Sequence, residues 1–203
     1  DPLLLTGIVL QNFEETELDK ATPLFVDCTE SVLGANPAYA SQVLPGLDHW
    51  LHRLPREFLD QFGHHGLAVG DVNGDELVDL YVCDAGGLPN RLYVQQPDGT
   101  ALDASKGSGV DLLDNSTSAL LVDLDNDGDQ DLVVATGSMI RMAKNNGAGY
   151  FDFQAASAVN TDPYSLSACD FDSDGDLDIY VCGYDVRNRE PTSEGLPFPM
   201  PYH

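Results

Sequence analysis

Three times along the chain a short run of apolar or small residues gives way to a polar stretch and then to a β-branched or aromatic run. The first runs are Leu67-Ala68-Val69-Gly70, Ala119-Leu120-Leu121-Val122 and Leu166-Ser167-Ala168-Cys169. Their partners are Leu80-Tyr81-Val82, Leu132-Val133-Val134 and Ile179-Tyr180-Val181. Runs this short, bounded by turn residues, read as strands, so each pair predicts a β-hairpin. Beyond the first hairpin, Asn90-Arg91-Leu92-Tyr93-Val94 leads to the turn pair Asp98-Gly99 and then to Leu102-Asp103. Beyond the second, Ile140-Arg141-Met142-Ala143 leads to Asn146-Gly147-Ala148-Gly149 and then to Phe151-Asp152-Phe153. Each continuation predicts a third strand, a second tight turn and the start of a fourth strand.

The three polar stretches begin at Asp71, Asp123 and Asp170, spaced 52 and 47 residues apart, and align without gaps. That period is the length of a four-stranded propeller blade rather than of a helical repeat. The prediction is an all-β chain: a partial β-propeller of four-stranded antiparallel blades with a small helical insertion. Repeat 1 is expected over residues 64–115, repeat 2 over 116–162 and the start of repeat 3 over 163–186. Phe25-Val26-Asp27-Cys28-Thr29-Glu30 predicts the outer strand of an incomplete blade after an N-terminal segment over 1–24. Between them, over 31–63, Leu47, Trp50, Leu51, Leu54, Phe58, Leu59 and Phe62 fall at helical spacing around Pro55. This predicts an amphipathic helical insertion, broken or restarted at the proline, that caps an edge or end of the sheet. Residues 187–203, with four prolines among the last thirteen, read as a loop or linker.

Composition changes the picture through charge. The 203 residues carry 34 Asp+Glu against 9 Lys+Arg, a formal net charge of −25. Such a balance repels nucleic-acid backbones and anionic membrane surfaces, and makes cations the natural counterpart. Apolar residues recur throughout and the acids are clustered, which argues against disorder. The longest apolar run, Leu3 to Leu10, falls far short of the ~20 residues a membrane helix needs. Residue 1 is Asp and not an initiator Met, as expected of a chain that has lost a leader or is a piece of a longer protein.

Fourteen of the 34 acids lie in the three polar stretches, which are nine-residue loops. Like charges at that density repel unless a multivalent cation neutralises them. The first loop offers Asp71, Asn73, Asp75, the Leu77 carbonyl and Asp79. The second offers Asp123, Asp125, Asp127, Asp129 and Asp131, and the third Asp170, Asp172, Asp174, Asp176 and Asp178. Side chains at positions one, three, five and nine are placed to converge on one ion, with the backbone carbonyl at position seven adding an oxygen. All-oxygen ligands at flexible spacing favour calcium over magnesium, predicting three calcium sites. Gly128 and Gly175 at position six suit the sharp turn. Glu76 stands there in the first loop, where a left-handed backbone would cost about 1 kcal/mol or more, so the site at Asp71–Asp79 is expected to be the weakest. An EF-hand is excluded, because its position-twelve Glu is replaced by Val82, Val134 and Val181.

The small-apolar strand, the Asp-x-Asp/Asn-x-Asp-Gly-x-x-Asp-Leu-x-Val loop, Asn90-Arg91-Leu92-Tyr93 and the Asp98-Gly99 turn together resemble FG-GAP or VCBS-type repeats of calcium-containing β-propellers, including integrin α-subunit heads. The stretch from Gly66 to Val110 is similar to the repeat form that accompanies ASPIC/UnbV-type domains. The resemblance covers roughly residues 64 to 182, with a weaker echo at 25 to 30. It implies six or seven blades in a ring, so that further blades come from the same or another chain. It also implies an exported protein, whether extracellular, cell-surface or periplasmic, without catalytic residues. The expected role is a metal-stabilised scaffold for binding or adhesion, with a protein or glycan as ligand. Two alternatives stand beside it: the propeller portion of a larger exported enzyme, for instance one acting on polysaccharide, and a lectin-like propeller.

Other candidate chemistry reads as structural. His49, His52, His64 and His65 fit no zinc spacing, and Trp50 is expected as a buried anchor. Cys28, Cys83, Cys169 and Cys182 form no Cys-x-x-Cys pair, and Cys83 and Cys182 occupy the same place in non-adjacent repeats. Buried free thiols are the expectation, with disulfides as the alternative.

Overall fold

The computed structural model describes residues 25–55, 65–160 and 162–184. The apolar and β-branched runs form the strands. β1 (Leu67–Gly70), β2 (Asp79–Val82), β3 (Arg91–Gln95) and β4 (Ala101–Asp103) make one four-stranded antiparallel sheet in chain order. β5 (Ser116–Val122), β6 (Asp131–Thr136), β7 (Met139–Asn145) and β8 (Phe151–Ala158) make a second, and β9 (Asp162–Cys169) pairs with β10 (Asp178–Tyr184). The hairpin registers follow the loops. Gly70 faces Asp79, Val122 faces Asp131 and Cys169 faces Asp178, so each acidic loop closes at its ninth residue.

The first strands of the units lie beside one another, β1 against β5 and β5 against β9. Glycine makes the first approach possible. A Cβ built on Gly66 would come within 2.8 Å of Ser118 Cα and of the Thr117 carbonyl oxygen, so any side chain there would push β5 away. Between the first and second sheets Ala68, Val72, Tyr81, Leu92, Ala119, Leu132, Val134 and Phe151 form one core. Val133, Ala135, Ile140 and Leu166 form another, with Ile179 and Val181 packed on it. β6 is therefore buried on both faces, which is why Leu132-Val133-Val134-Ala135 is apolar throughout and does not alternate. A buried polar cluster holds the first sheet to β5: Asn90 donates to the Tyr81 hydroxyl at 2.9 Å and to Ser116 Oγ at 2.8 Å, and Tyr81 donates to the Val110 carbonyl.

The N-terminal elements correct part of the sequence reading. The strand expected over 25–30 does not form: Phe25 to Cys28 has no regular structure, and α1 (Thr29–Leu33) begins at Thr29. Asp27 Oδ1 accepts the Thr29 N–H, a local turn that competes with strand pairing. The expected insertion is a series of short pieces, α1, a π-helical turn over Tyr39–Val43 and α2 (Leu47–Leu51). Phe58, Leu59 and Phe62 lie outside the described residues. The series covers the first sheet, where Leu33 packs with Tyr93 and Ala101. Asn36 closes the β4 edge, donating to the Ala101 carbonyl at 2.7 Å and accepting the Asp103 N–H at 2.8 Å. Gln42 accepts from Arg91, which also pairs with Asp103 at 2.9 Å.

Trp50 is half-buried, its ring edge-on to His49. The described cysteines are unpaired, and only Cys83 is buried; Cys28, Cys169 and Cys182 are exposed, because their strands and turn have no covering layer among the described residues. Burial and the neighbouring Asp84 charge push the Cys83 thiol up to about 12, against the Gly66 backbone contact that lowers it.

Candidate metal centre

Each loop is built by the same ladder of side chain to backbone hydrogen bonds. The position-one carboxylate accepts amides across the turn. Asp71 Oδ1 takes the Gly74 N–H at 2.8 Å and Oδ2 the Glu76 N–H at 2.8 Å. Asp123 takes Asp127 and Gly128 N–H, and Asp170 takes Asp174 and Gly175 N–H. At position five, Asp75, Asp127 and Asp174 each accept the N–H two residues on, at 2.9, 3.0 and 3.0 Å. At position nine, Asp79, Asp131 and Asp178 accept the N–H of position two, from Val72, Leu124 and Phe171. Asx turns of this kind draw the carboxylates inward before any ion is considered.

Strand ends complete the position-nine acids in the first two loops. Asp79 Oδ1 accepts the Gln95 N–H from the end of β3, and Asp131 Oδ1 accepts the Asn145 N–H from the end of β7, both at 2.8 Å. Both acids are buried, at 0% and 2% exposure, whereas Asp178 is exposed. Burial raises the Asp79 carboxyl above its ordinary value, opposed by the Val72 and Gln95 N–H groups and reinforced by the charges of Asp75 and Asp71. For Asp71 burial also works upward, but the N–H groups of Glu76, Gly74, Asn73 and Asp75 outweigh it and hold its carboxyl low.

In the second loop, oxygens of Asp123, Asp125 and Asp131 lie within 4.8 Å of one another, and in the third so do those of Asp170, Asp172 and Asp174. Such convergence of carboxylates, with Asp131 buried in the second loop and all three exposed in the third, suits a hard divalent cation. The first loop has no such trio among the described residues; its position three is Asn73, which donates to Asp75 Oδ2 at 2.9 Å. Asp129 and Asp176 at position seven stand outside the trios. The Asp129 carboxylate lies against the 147 turn, where a Cβ on Gly147 would come within 2.6 Å of its Oδ2. Asp127 is also outside, drawn to Lys144 Nζ at 2.9 Å. The Asp129 N–H and then Lys144 hold Asp127 below the usual carboxylate range. No histidine joins a group of three potential ligands among the described residues.

Backbone strain is shared differently from the sequence expectation. Positions four and six are left-handed in every loop: Gly74 and Glu76 (φ 74° and 68°), Asn126 and Gly128 (60° and 95°), Ser173 and Gly175 (64° and 98°). Each loop thus pairs one glycine with one residue that has a Cβ, and the first merely exchanges their order. Lys144 and Asn145 were missed by the sequence reading. The available signal was their place at the end of a third strand, directly before the Asn146-Gly147 turn.

Antiparallel hairpins, each closed by an Asp-rich loop, recur along the chain and define a repeat architecture. The profile of the FG-GAP-like repeat matches residues 71–134 and 123–181. The chain belongs to this repeat family. It is 27% identical over 141 residues to cartilage acidic protein 1 of Xenopus tropicalis, an alignment covering 66% of this chain. The match spans about a fifth of that relative's length, 21%.

Proposed function

We propose that these residues are part of a calcium-stabilised β-propeller that serves as a non-catalytic scaffold for binding or adhesion outside the cytoplasm. The single observation that carries the reading is the convergence of the Asp123, Asp125 and Asp131 oxygens, Asp131 being buried, with a second, exposed trio at Asp170, Asp172 and Asp174. The side-by-side first strands β1, β5 and β9 support a radial arrangement of sheets. The first loop, with Asp71, Asn73, Asp75, the Leu77 carbonyl and Asp79, is the third and weakest site. Calcium supplies the positive charge that these loops lack and ties each hairpin closed, so that ion binding contributes directly to folding. Rigid loops at one end of the sheets then present a surface to a protein or glycan partner. The membership in a repeat family and the match to cartilage acidic protein 1 support an exported location. Among the described residues no helix is long and apolar enough to cross a membrane.

Unfolding with calcium and with chelator tests the reading. Calcium held about 100-fold above its dissociation constant is expected to stabilise by about 2.7 kcal/mol per filled site. A melting temperature that ignores both calcium and chelator would refute it.

A further inference from the structure

Asn145 is buried, and every polar atom of its side chain is used. Its Nδ2 group donates to the Val72 carbonyl of the first loop at 2.8 Å and to the Gln130 carbonyl of the second at 3.0 Å, while Oδ1 accepts the Asn146 N–H at 2.8 Å. Its own N–H donates to Asp131 Oδ1, and the Val72 N–H donates to Asp79 Oδ2 at 2.9 Å. The position-nine acids of two loops are thus joined by one buried chain: Asp131 to Asn145, Asn145 to Val72, Val72 to Asp79. We propose that Asn145 couples the first two loops, so that a cation bound by the second raises the affinity of the first.

The inference rests on the calcium reading above. An ion held by Asp131 fixes the 130–131 peptide and, through Asn145, the Val72 peptide. The first loop then loses less freedom when it closes on its own ion, which is positive cooperativity without a large movement. Hydrogen bonds in such a buried chain also polarise one another. The contact between the second and third loops is of another kind: Asn126 Nδ2 reaches the Gly175 carbonyl at 3.4 Å and Asp176 at 3.3 Å, at exposed positions. Asn145 acts here as a positioning residue; it supplies no ligand atom.

The test follows calcium titration of the full chain by NMR, with the Gly74 and Gly128 amides reporting the first and second loops. Disabling the second loop with Asp123→Ala and Asp125→Ala is expected to lower first-loop affinity at least about fivefold. In an Asn145→Leu background the same change is expected to move first-loop affinity less than about twofold. A purely structural role would weaken both loops and leave that ratio intact, and an unchanged ratio overturns the proposal. So does a first loop that ignores the second in the unaltered chain. Binding without coupling overturns this inference alone, whereas no binding at any loop overturns the calcium reading with it. If Asn145→Leu does not fold, the intact residue serves: with the first loop disabled by Asp71→Ala and Asp75→Ala, filling the second must shift the Asn145 side-chain amide and Val72 N–H signals. Unmoved signals overturn it.

Discussion

Lys144 Nζ lies 2.9 Å from Asp127 Oδ2 and also pairs with Asp125, giving the second acidic loop a cation from its own chain. The two carboxylates raise the lysine's affinity for its proton, Asp125 first and Asp127 next. The corresponding place in the first unit, one residue before Gln95, is Val94. A calcium ion using Asp125 must compete with this ammonium. Lys144→Met is therefore expected to raise second-loop calcium affinity by roughly twofold to fivefold, the range of an exposed ion pair. It is also expected to make the ion-free chain easier to unfold. The affinity gain should shrink at high salt, which screens the pair in the parent chain. Calcium titration at low and high ionic strength checks both, and a loss of affinity would contradict the competition.

Asp79 sets a pH dependence of definite sign. Burial raises its folded carboxyl above the ordinary 3.8, so the ion-free folded state holds the proton more tightly than the unfolded chain. Its contribution to stability is fully present below the unfolded value and is lost as pH rises through the raised folded value. Asn does not titrate. In chelator, the stability of the parent chain relative to Asp79→Asn should therefore decline as pH rises above the ordinary carboxylate value. Calcium should oppose the decline, since it prefers the carboxylate. Urea unfolding at several pH values reads the difference, and a flat difference in chelator would refute the burial argument.

Glu76 sits at φ 68° and Asn126 at φ 60°. Asn tolerates this region through its short polar side chain, while Glu carries the steric cost. Glu76→Gly is expected to stabilise the ion-free chain by about 1 kcal/mol, and Asn126→Gly by clearly less. The midpoint of urea unfolding at constant slope measures both. Equal shifts would show that loop hydrogen bonding, and not side-chain type, governs the turn.

Val72 and Phe171 occupy position two of their loops, at 1% and 85% exposure. Val72 fills the core between the first two sheets, and its Cγ2 would lie 3.5 Å from a Cβ built on Gly149. Val72→Ala should cost about 2 kcal/mol from lost burial and the cavity left behind. Phe171→Ala should stay within about 0.5 kcal/mol in this chain. Chemical unfolding of the two variants distinguishes them, and comparable losses would mean that Phe171 is covered in solution.

The strands, their hairpin pairing and the acidic loops were legible from the chain alone, because strand pairing between neighbours and Asx-turn chemistry are local and recur at one period. The same locality explains why Asp71, Asp123 and Asp170 could be placed at the first position of their loops. What lay beyond reach depends on contacts between units. Only packing decides that Asp131 is buried while Asp178 is exposed, that β6 is covered on both faces, and that Thr29 starts a helix against the first sheet where a strand was expected. Cys169 and Cys182 look as apolar as Cys83 in sequence but have no layer over them. Lys144 and Asn145 belong to one strand, yet their partners lie in two different loops as many as 73 residues away. The repeat spelled out each loop; the meeting of one loop with the next is a property of the folded sheets, because distant groups acquire partners only when packing brings them together.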